Sequence, residues 1–245
     1  MTRETSVDLG VMSLPTKAKN KIEVTLEKSQ HDRDTNPFDP RVFGLKTFNL
    51  VYGSRWTGKS CLLSYLVKRF YLDKKIFSSV LILTPSGGSD PAWNNIKNRK
   101  RVTIFNECND KLLFDLIKQQ EERIAQGIRK HVLLILDDFS LMCRNLKGLE
   151  TIAVRGRHAL ITCICTTQSV SLLSPIIRRN AQSAVLFRLS DEEFETLGRE
   201  GLRGFLSVRE FVDWCKTHTS EPGSFVHCNT RDKKRPFSIG FSDPE

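Results

Sequence analysis

The phosphate-binding pattern G-x-x-x-x-G-K-[ST] occurs in this chain as Gly53-Ser54-Arg55-Trp56-Thr57-Gly58-Lys59-Ser60. An apolar run at residues 47–52 precedes it and is typical of a strand, and residues 61–70 follow with helical spacing. Glycines allow the backbone to wrap closely, so that its N–H groups and the helix N-terminus face a polyphosphate. The alternative is a plain glycine turn, which these flanks disfavour. The stretch predicts a nucleoside triphosphate site formed by residues 53–60 and Cys61.

Two side chains of this loop have expected roles in the chemistry. Lys59 is expected to reach the β- and γ-phosphates, and the Ser60 hydroxyl is expected to ligate Mg²⁺. ATP and Mg²⁺ are therefore the predicted cofactors.

A second motif is a continuous apolar run at residues 131–136 that ends in Asp137-Asp138. Such a run is typical of a central parallel strand whose carboxyl end lies at the ligand crevice. We expect Asp137 to hold Mg²⁺ through a water opposite Ser60, and Asp138 to take a proton from the attacking water. The alternative for two acids after an apolar run is a helix cap.

The long interval between Lys59 and Asp137 contains two candidate helices and two candidate strands. It leaves room for a strand inserted between the phosphate-loop strand and the acid-bearing strand, a layout typical of motor and helicase ATPases. The next core strand, residues 160–167, is followed by Gln168. An amide there can hydrogen-bond both the γ-phosphate and the attacking water, whereas the alternative is an ordinary surface glutamine.

Arginines flank the later strands. Arg157 precedes the strand of residues 160–167, and Arg179 precedes a fifth strand at residues 184–189. Either is a candidate to stabilise γ-phosphate charge, in cis or across a subunit interface. The alternative is a solvated basic face. His158 is expected to be a structural hydrogen-bonding group, because this mechanism needs no imidazole.

The pattern of elements predicts an α/β fold, a three-layer α/β/α P-loop sandwich around a mostly parallel sheet of the RecA type. We expect a polar N-terminal arm at residues 1–36, an ATPase core at 37–190, and a C-terminal extension at 191–245 that packs on the core. Helices at 191–199 and 207–217 and a β-hairpin at 224–240 make up that extension.

Composition limits the partners and the compartment. The formal net charge is +10 and the isoelectric point is about 9.4, which favour a polyanionic partner such as nucleic acid over general basicity. Seven cysteines without metal-ligand spacing, and no secretory signal or membrane-spanning stretch, predict a soluble intracellular protein. Cys163 and Cys165 alternate and are expected to face the same side of a buried strand.

Taken together, these motifs resemble the FtsK–HerA superfamily, and within it the viral genome-packaging ATPases of poxviruses, other large DNA viruses and virophages. The resemblance covers about residues 45–190. It is carried by these matches: Gly53–Ser60, Asp137-Asp138-Phe139, Arg157-His158, Thr166-Thr167-Gln168 and Ile177-Arg178-Arg179-Asn180. It implies a homo-oligomeric ring that drives double-stranded DNA into a capsid, at a capsid or portal vertex, in a cytoplasmic virus factory or the virion. Gln168 would be the family's sensor.

Asp138 departs from the wider superfamily, where a glutamate is usual, although the viral branch resembles this chain in having two aspartates. Two other functions stay open: a P-loop kinase of a nucleotide or metabolite, and a weakly hydrolysing, nucleotide-gated DNA-binding or assembly factor. The predicted DNA contacts are Lys97, Arg99, Lys100 and Arg101, or Arg144 and Lys147. Trp93 is expected to pack at the surface, with base stacking as the alternative.

Overall fold

The computed structural model describes residues 43–72, 75–138, 145–230 and 236–240, apart from the side chains of residues 69 and 70. The predicted N-terminal arm, Arg144 and the hairpin turn at residues 231–235 lie outside these ranges.

An eight-stranded sheet forms the centre of the fold, and its strands appear in the spatial order β3-β2-β4-β5-β1-β6-β7-β8. The strands are β1 Phe48–Tyr52, β2 Ser79–Leu83, β3 Val102–Phe105, β4 Val132–Leu136, β5 Ile161–Thr167, β6 Ser183–Leu186, β7 Val226–Asn229 and β8 Phe237–Ile239. From β3 to β6 all neighbours are parallel, and β7 and β8 are added antiparallel at one edge. The predicted α/β fold with a mostly parallel sheet is confirmed.

The α-helices that we number are α1 Lys59–Leu66, α2 Asp110–Ala125, α3 Lys147–Arg155, α4 Pro175–Arg179, α5 Asp191–Leu197 and α6 Val208–His218. Helix α1 continues as a π-helix at Val67–Leu72, and α5 continues as one at Gly198–Leu202. The sequence patterns had indicated α1, α2, α5 and α6. They had not indicated α3 and α4.

A strand does separate the phosphate-loop strand β1 from the acid-bearing strand β4, but its origin differs from the prediction. The inserted strand is β5, which follows β4 in sequence and pairs with both neighbours. The two strands from the interval, β2 and β3, lie on the far side of β4. Because β5 carries Gln168 at its end, the insertion brings that residue between the phosphate loop and the two acids.

Alternation along the strands divides the core into two layers. In β1, Phe48, Leu50 and Tyr52 face one helical layer and Val51 faces the other. Helices α2 to α6 cover the first face, while α1 with its π-helical continuation covers the second. Cys163 and Cys165 both point into the first layer and are buried, as predicted from their spacing.

The C-terminal elements join the same sheet. Helices α5 and α6 each begin with a complete capping box, Ser190 with Glu193 and Ser207 with Glu210. The hairpin β7–β8 pairs with β6 and so extends the sheet.

Two details differ from the sequence-based predictions. Strand β6 ends at Leu186 rather than at residue 189, and the next residue, Phe187, packs closely against Gly53 of the phosphate loop. Trp93 has no exposed surface, since it packs in the second core layer, so neither surface packing nor base stacking describes it. Among the described residues, no helix has the length and apolar character needed to cross a membrane.

Candidate functional site

The phosphate loop connects the carboxyl end of β1 to α1, at the edge of the sheet where all parallel strands end. Gly58 has a φ of 97°, a left-handed conformation that glycine adopts without strain. At Gly53 a Cβ would lie 2.8 Å from the Cβ of Phe187 and 2.7 Å from the Thr57 hydroxyl. Each glycine is therefore required by the local geometry, the first by close packing and the second by its backbone angle.

Lys59 lies inside the loop that it is expected to serve. Its side chain is nearly buried, and its Nζ donates hydrogen bonds of 2.8 Å to the carbonyl oxygens of Gly53 and Ser54. Burial lowers the pKa of this amine, and the nearby Asp138 and Asp137 carboxylates oppose that effect. The ammonium is thus held by two carbonyl groups and can be redirected to a phosphate without leaving the loop.

Asp137 follows β4 and is 1% exposed. Its Oδ1 accepts a hydrogen bond of 3.0 Å from the Thr166 hydroxyl, while its buried Oδ2 has no hydrogen-bond partner within the described ranges. Burial raises the pKa of this carboxyl, whereas the hydroxyls of Ser60 and Thr166 act in the opposite direction. A buried carboxylate oxygen without a partner, close to the Ser60 hydroxyl, is a donor set that fits Mg²⁺.

Asp138 is exposed and has a φ of 61°, an uncommon conformation for a residue other than glycine. Its backbone N–H donates to the Thr166 hydroxyl at 2.9 Å, and its Oδ1 accepts a hydrogen bond from Nε2 of Gln168. The amide oxygen of Gln168 in turn accepts from Nε of Arg55 at 3.3 Å. The structure therefore joins an acid, an amide and a phosphate-loop arginine in one chain of hydrogen bonds, the relay of Asp138, Gln168 and Arg55.

The residues predicted for nucleotide chemistry lie together in the structure. Lys59, Ser60, Asp137, Asp138 and Gln168 all lie at the carboxyl ends of β1, β4 and β5 or on the loops that follow them. The contact of Arg55 with Gln168 was not foreseen, because the two residues are 113 positions apart and only the pairing of β1 with β5 brings them close.

The two candidate arginines lie elsewhere. Arg157 precedes β5, at the opposite edge of the sheet, and its Nε donates to Nε2 of His158 at 3.2 Å. Arg179 ends α4, which leads into the amino end of β6, and is exposed. Neither is placed on the phosphate loop of its own chain, so a catalytic role for either requires a second copy.

Arg178, which belongs to the motif of residues 177–180 quoted for the family resemblance but is not one of the two candidate arginines, holds the loop that follows Gln168. Its guanidinium donates to the carbonyl oxygens of Val170 and Leu173 and forms an ion pair with Glu200, in which the side chains are only 12% and 15% exposed. The Val170 N–H donates to Glu193 at 3.2 Å. Helix α5 and its π-helical continuation thus fix the position of the loop next to Gln168.

The basic residues predicted to contact DNA are exposed where they are described: Lys97, Arg99, Lys100, Arg101 and Lys147. Lys147 lies at the start of α3 and pairs with Glu150 at 3.0 Å. Within the described part of the chain, no group of three or more His, Cys, Asp or Glu side chains is arranged to hold a metal ion. The groups that could hold Mg²⁺ are therefore Ser60, Asp137 and the nucleotide itself.

Comparison with solved structures supports the fold. The DNA-packaging ATPase B204 of Sulfolobus turreted icosahedral virus aligns with a TM-score of 0.58 and 17% identity, over 80% of this chain and 97% of that one. The genome-packaging NTPase B204 of Sulfolobus turreted icosahedral virus 2, in complex with ATPγS, aligns with a TM-score of 0.56 and 17% identity, over 79% and 96%. ATPases 2 and 3 of EssC from Geobacillus thermodenitrificans align with a TM-score of 0.55 and 14% identity, over 82% of this chain and 40% of that one.

Comparison by sequence gives less information than comparison by structure. No protein-family model matches the chain. An uncharacterised protein, 075L, of Invertebrate iridescent virus 6 is 25% identical over 177 residues, which cover 69% of this chain and 66% of that protein. The chain therefore spans slightly less than two thirds of that relative.

Proposed function

We propose that this chain is an ATP-hydrolysing motor that moves double-stranded DNA during the packaging of a viral genome. The observation that carries the proposal is the relay of Asp138, Gln168 and Arg55 beside the buried pair of Lys59 and Asp137. A glycine turn or a simple nucleotide-binding loop needs no carboxylate and amide joined at its mouth, whereas hydrolysis needs both groups there.

Each residue of the site has a definite task in this proposal. Lys59 leaves its two carbonyl partners and neutralises charge on the β- and γ-phosphates, while Ser60 and Asp137 hold Mg²⁺. Bound Mg²⁺ supplies further neutralisation of the phosphate charge. Asp138 accepts a proton from the attacking water, and Gln168 orients that water through its amide. Arg55 holds the amide oxygen of Gln168 and so fixes which end of the amide faces Asp138.

The wider assembly is part of the proposal. We expect a homo-oligomeric ring in which an arginine of a neighbouring copy, Arg157 or Arg179, completes the charge stabilisation. A capsid or portal-vertex component would be its partner, and the virus factory or virion its location. The basic composition, with a formal net charge of +10, supports a DNA substrate.

The structural relatives support DNA packaging, the function named for B204, more than a function like that of EssC. The B204 structures are matched over 96% to 97% of their length, whereas EssC is matched over 40% because it contains further domains.

Steady-state ATP hydrolysis, measured with and without duplex DNA, tests the proposal. We expect turnover that duplex DNA stimulates in the wild type, and a loss of at least about 100-fold in Lys59→Ala and in Asp138→Asn. Lys111→Ala is the matched control, because Lys111 is exposed at the start of α2 and lies outside the site.

Two other outcomes would contradict the motor. Turnover that depends on an added nucleotide or metabolite acceptor and ignores DNA would support a P-loop kinase. Negligible turnover with retained DNA binding would support a nucleotide-gated binding or assembly factor. Thermal unfolding of each variant shows that a loss of turnover does not come from a loss of fold.

A further inference from the structure

Basic residues occupy the segments that lead into five neighbouring strands of the sheet. These segments, 43–47, 75–78, 98–101, 127–131 and 155–160, precede β1, β2, β3, β4 and β5 and contain no Asp or Glu. We call their basic side chains the amino-edge belt: Lys46, Lys75, Arg99, Lys100, Arg101, Arg129, Lys130, Arg155 and Arg157. Apart from Lys46, which is half-buried, all of them are exposed.

Backbone hydrogen bonds join these segments side by side. Arg101 accepts from Val80 at 2.8 Å, and His131 accepts from Ser78 at 2.9 Å. Leu160 accepts from Val132 at 3.1 Å and Thr47 from Cys163 at 2.9 Å. The five segments therefore form one continuous edge, although they are spread over more than a hundred positions of the chain.

The opposite edge of the sheet carries many acidic residues, together with the exposed Arg188 after β6. Its strands are followed by acidic residues: Asp90, Glu107, Asp110, Asp137, Asp138, Asp191, Glu192 and Glu193. The phosphate loop contributes Arg55 and Lys59 there. At the amino edge, Glu121 of α2 lies 3.8 Å from Arg155 in an exposed pair. Exposed pairs of this kind contribute little energy and can be exchanged for another anion.

The size and chemistry of the belt fit the backbone of duplex DNA. Five strands at about 4.8 Å spacing span roughly 19 Å. Duplex DNA presents one phosphate charge per about 1.7 Å of axis, so roughly eleven phosphates pass along that distance. Among the described residues, these segments carry no exposed Phe, Tyr or Trp side chain. Aromatic side chains are what single-stranded bases and membrane interfaces favour, so their lack favours the duplex.

We propose that the amino-edge belt is the surface that contacts the phosphate backbone of duplex DNA, on the side of the sheet opposite the nucleotide. This inference deepens the proposed function and rests on it for the identity of the polyanion. Contacts to phosphates alone make binding independent of sequence and strongly dependent on salt.

Fluorescence anisotropy of a labelled 30-base-pair duplex, measured over a series of KCl concentrations, tests the proposal. The belt variant is Lys75→Ala, Lys100→Ala and Lys130→Ala together, one substitution in each of three segments. The control is Lys111→Ala, Arg188→Ala and Arg209→Ala together, which removes the same charge from exposed positions away from the belt. Each lost phosphate contact lowers the slope of log K against log salt by about 0.9, so we expect a decrease of up to about 2.7.

The result expected is weaker binding and a reduced slope in the belt variant, with the control within about twofold of the wild type. Equal effects of both variants would overturn the belt, because net charge alone would then explain binding. So would a belt variant that binds duplex like the wild type but loses binding to phosphatidylserine vesicles.

Basal ATP hydrolysis without DNA, measured on the same proteins, separates this inference from the proposed function. If the wild-type chain shows no turnover but the belt variant still shows the reduced slope, the belt proposal stands and the motor proposal fails. If turnover is normal and the slope of the belt variant equals that of the wild type, the ATPase proposal stands and the belt proposal fails.

Discussion

At the scale of single residues, the site differs from a simple nucleotide loop through side chains that hold one another. Lys59 is held by two loop carbonyls, Asp138 by the Gln168 amide, and Gln168 by Arg55. These contacts orient each group within the site, and such preorganisation would limit the reorganisation that nucleotide binding requires. Two direct tests of the site follow, one from the relay and one from the three tryptophans.

Arg55→Ala removes the group that fixes the amide of Gln168. A hydrogen bond to a charged group contributes about 1.5–3 kcal/mol, so we expect kcat to fall by about 10- to 100-fold. If Arg55 acts through the amide, its removal has little further effect in a Gln168→Ala background, because the two substitutions then break the same interaction. Additive losses in the double variant would instead assign Arg55 a separate role, and steady-state kinetics of the four proteins measure the difference.

Trp56 reports on nucleotide binding by fluorescence. Its side chain is fully exposed on the phosphate loop, whereas Trp93 is buried and Trp214 packs against Phe237 and His218. We expect an ATP-dependent change in tryptophan emission in the wild type that Trp56→Phe abolishes and Trp214→Phe retains. A change that survives in Trp56→Phe would place the nucleotide away from this loop.

At the scale of secondary-structure elements, the C-terminal helices support the site from behind. The Arg178–Glu200 pair joins α4 to the continuation of α5, and Arg178 also holds the carbonyl groups of the loop after Gln168. The hairpin places a buried histidine, His227, next to Phe43 across the sheet edge. The Arg178–Glu200 pair and the buried His227 each lead to a prediction about stability.

Glu200→Ala leaves the Arg178 guanidinium in a mostly buried position without its carboxylate. Removing one partner of a buried ion pair costs about 3–5 kcal/mol, and the partial exposure of this pair reduces that to about 2–3 kcal/mol. Glu195→Ala is the matched control, because Glu195 pairs with Arg199 at 2.8 Å in a pair that is 45% and 70% exposed. We expect the control to cost less than about 1 kcal/mol in urea unfolding. Equal costs for both variants would show that the buried pair is not held as the structure indicates.

His227 makes stability depend on pH. Burial lowers its pKa to about 4 from the usual 6.5, so between these values the unfolded chain binds a proton that the folded chain does not. The free energy of unfolding therefore falls as pH falls from 6.5 towards 4, by up to about 1.4 kcal/mol per unit from this residue. We expect His227→Leu to be less sensitive to pH in that window than the wild type. His158→Gln, a substitution of an exposed histidine, is expected to keep the wild-type dependence, and urea unfolding at several pH values measures all three.

At the scale of the whole molecule, the sheet separates two charge environments. The edge at the carboxyl ends of the strands carries the phosphate loop and most of the acidic residues, and the opposite edge carries the amino-edge belt, with strands about five residues long between them. A motor of this shape would hold ATP and DNA on opposite ends of the same strands. The positions of Arg157 and Arg179 outside the phosphate loop of their own chain then require that any finger comes from another copy.

Mixing of inactive variants tests that requirement. We expect Arg179→Ala and Lys59→Ala, each inactive alone, to regain part of the DNA-stimulated turnover when mixed, because each supplies what the other lacks at a shared site. Arg157 lies within the amino-edge belt, so we expect Arg157→Ala to keep turnover by itself and to gain none when it is mixed with Lys59→Ala. Recovery with Arg157 and none with Arg179 would reverse these assignments.

The sequence by itself determined the elements and most of the nucleotide chemistry. The glycine pattern, the apolar run before Asp137-Asp138 and the polar end of β5 are local signals, because they depend on period, turn chemistry and strand ends. They predicted the α/β fold, and they selected Lys59, Ser60, Asp137, Asp138 and Gln168, which the structure places together.

Only the tertiary structure decided the order of the strands and therefore the neighbours. Strand β5 lies between β1 and β4, which sets Arg55 against Gln168 and moves β2 and β3 to the outside. The amino-edge belt and the ion pair of Arg178 with Glu200 likewise depend on how the strands and helices pack together. Their members are far apart along the chain, and contacts of that kind arise from packing between elements, which no local pattern of apolar and charged residues records.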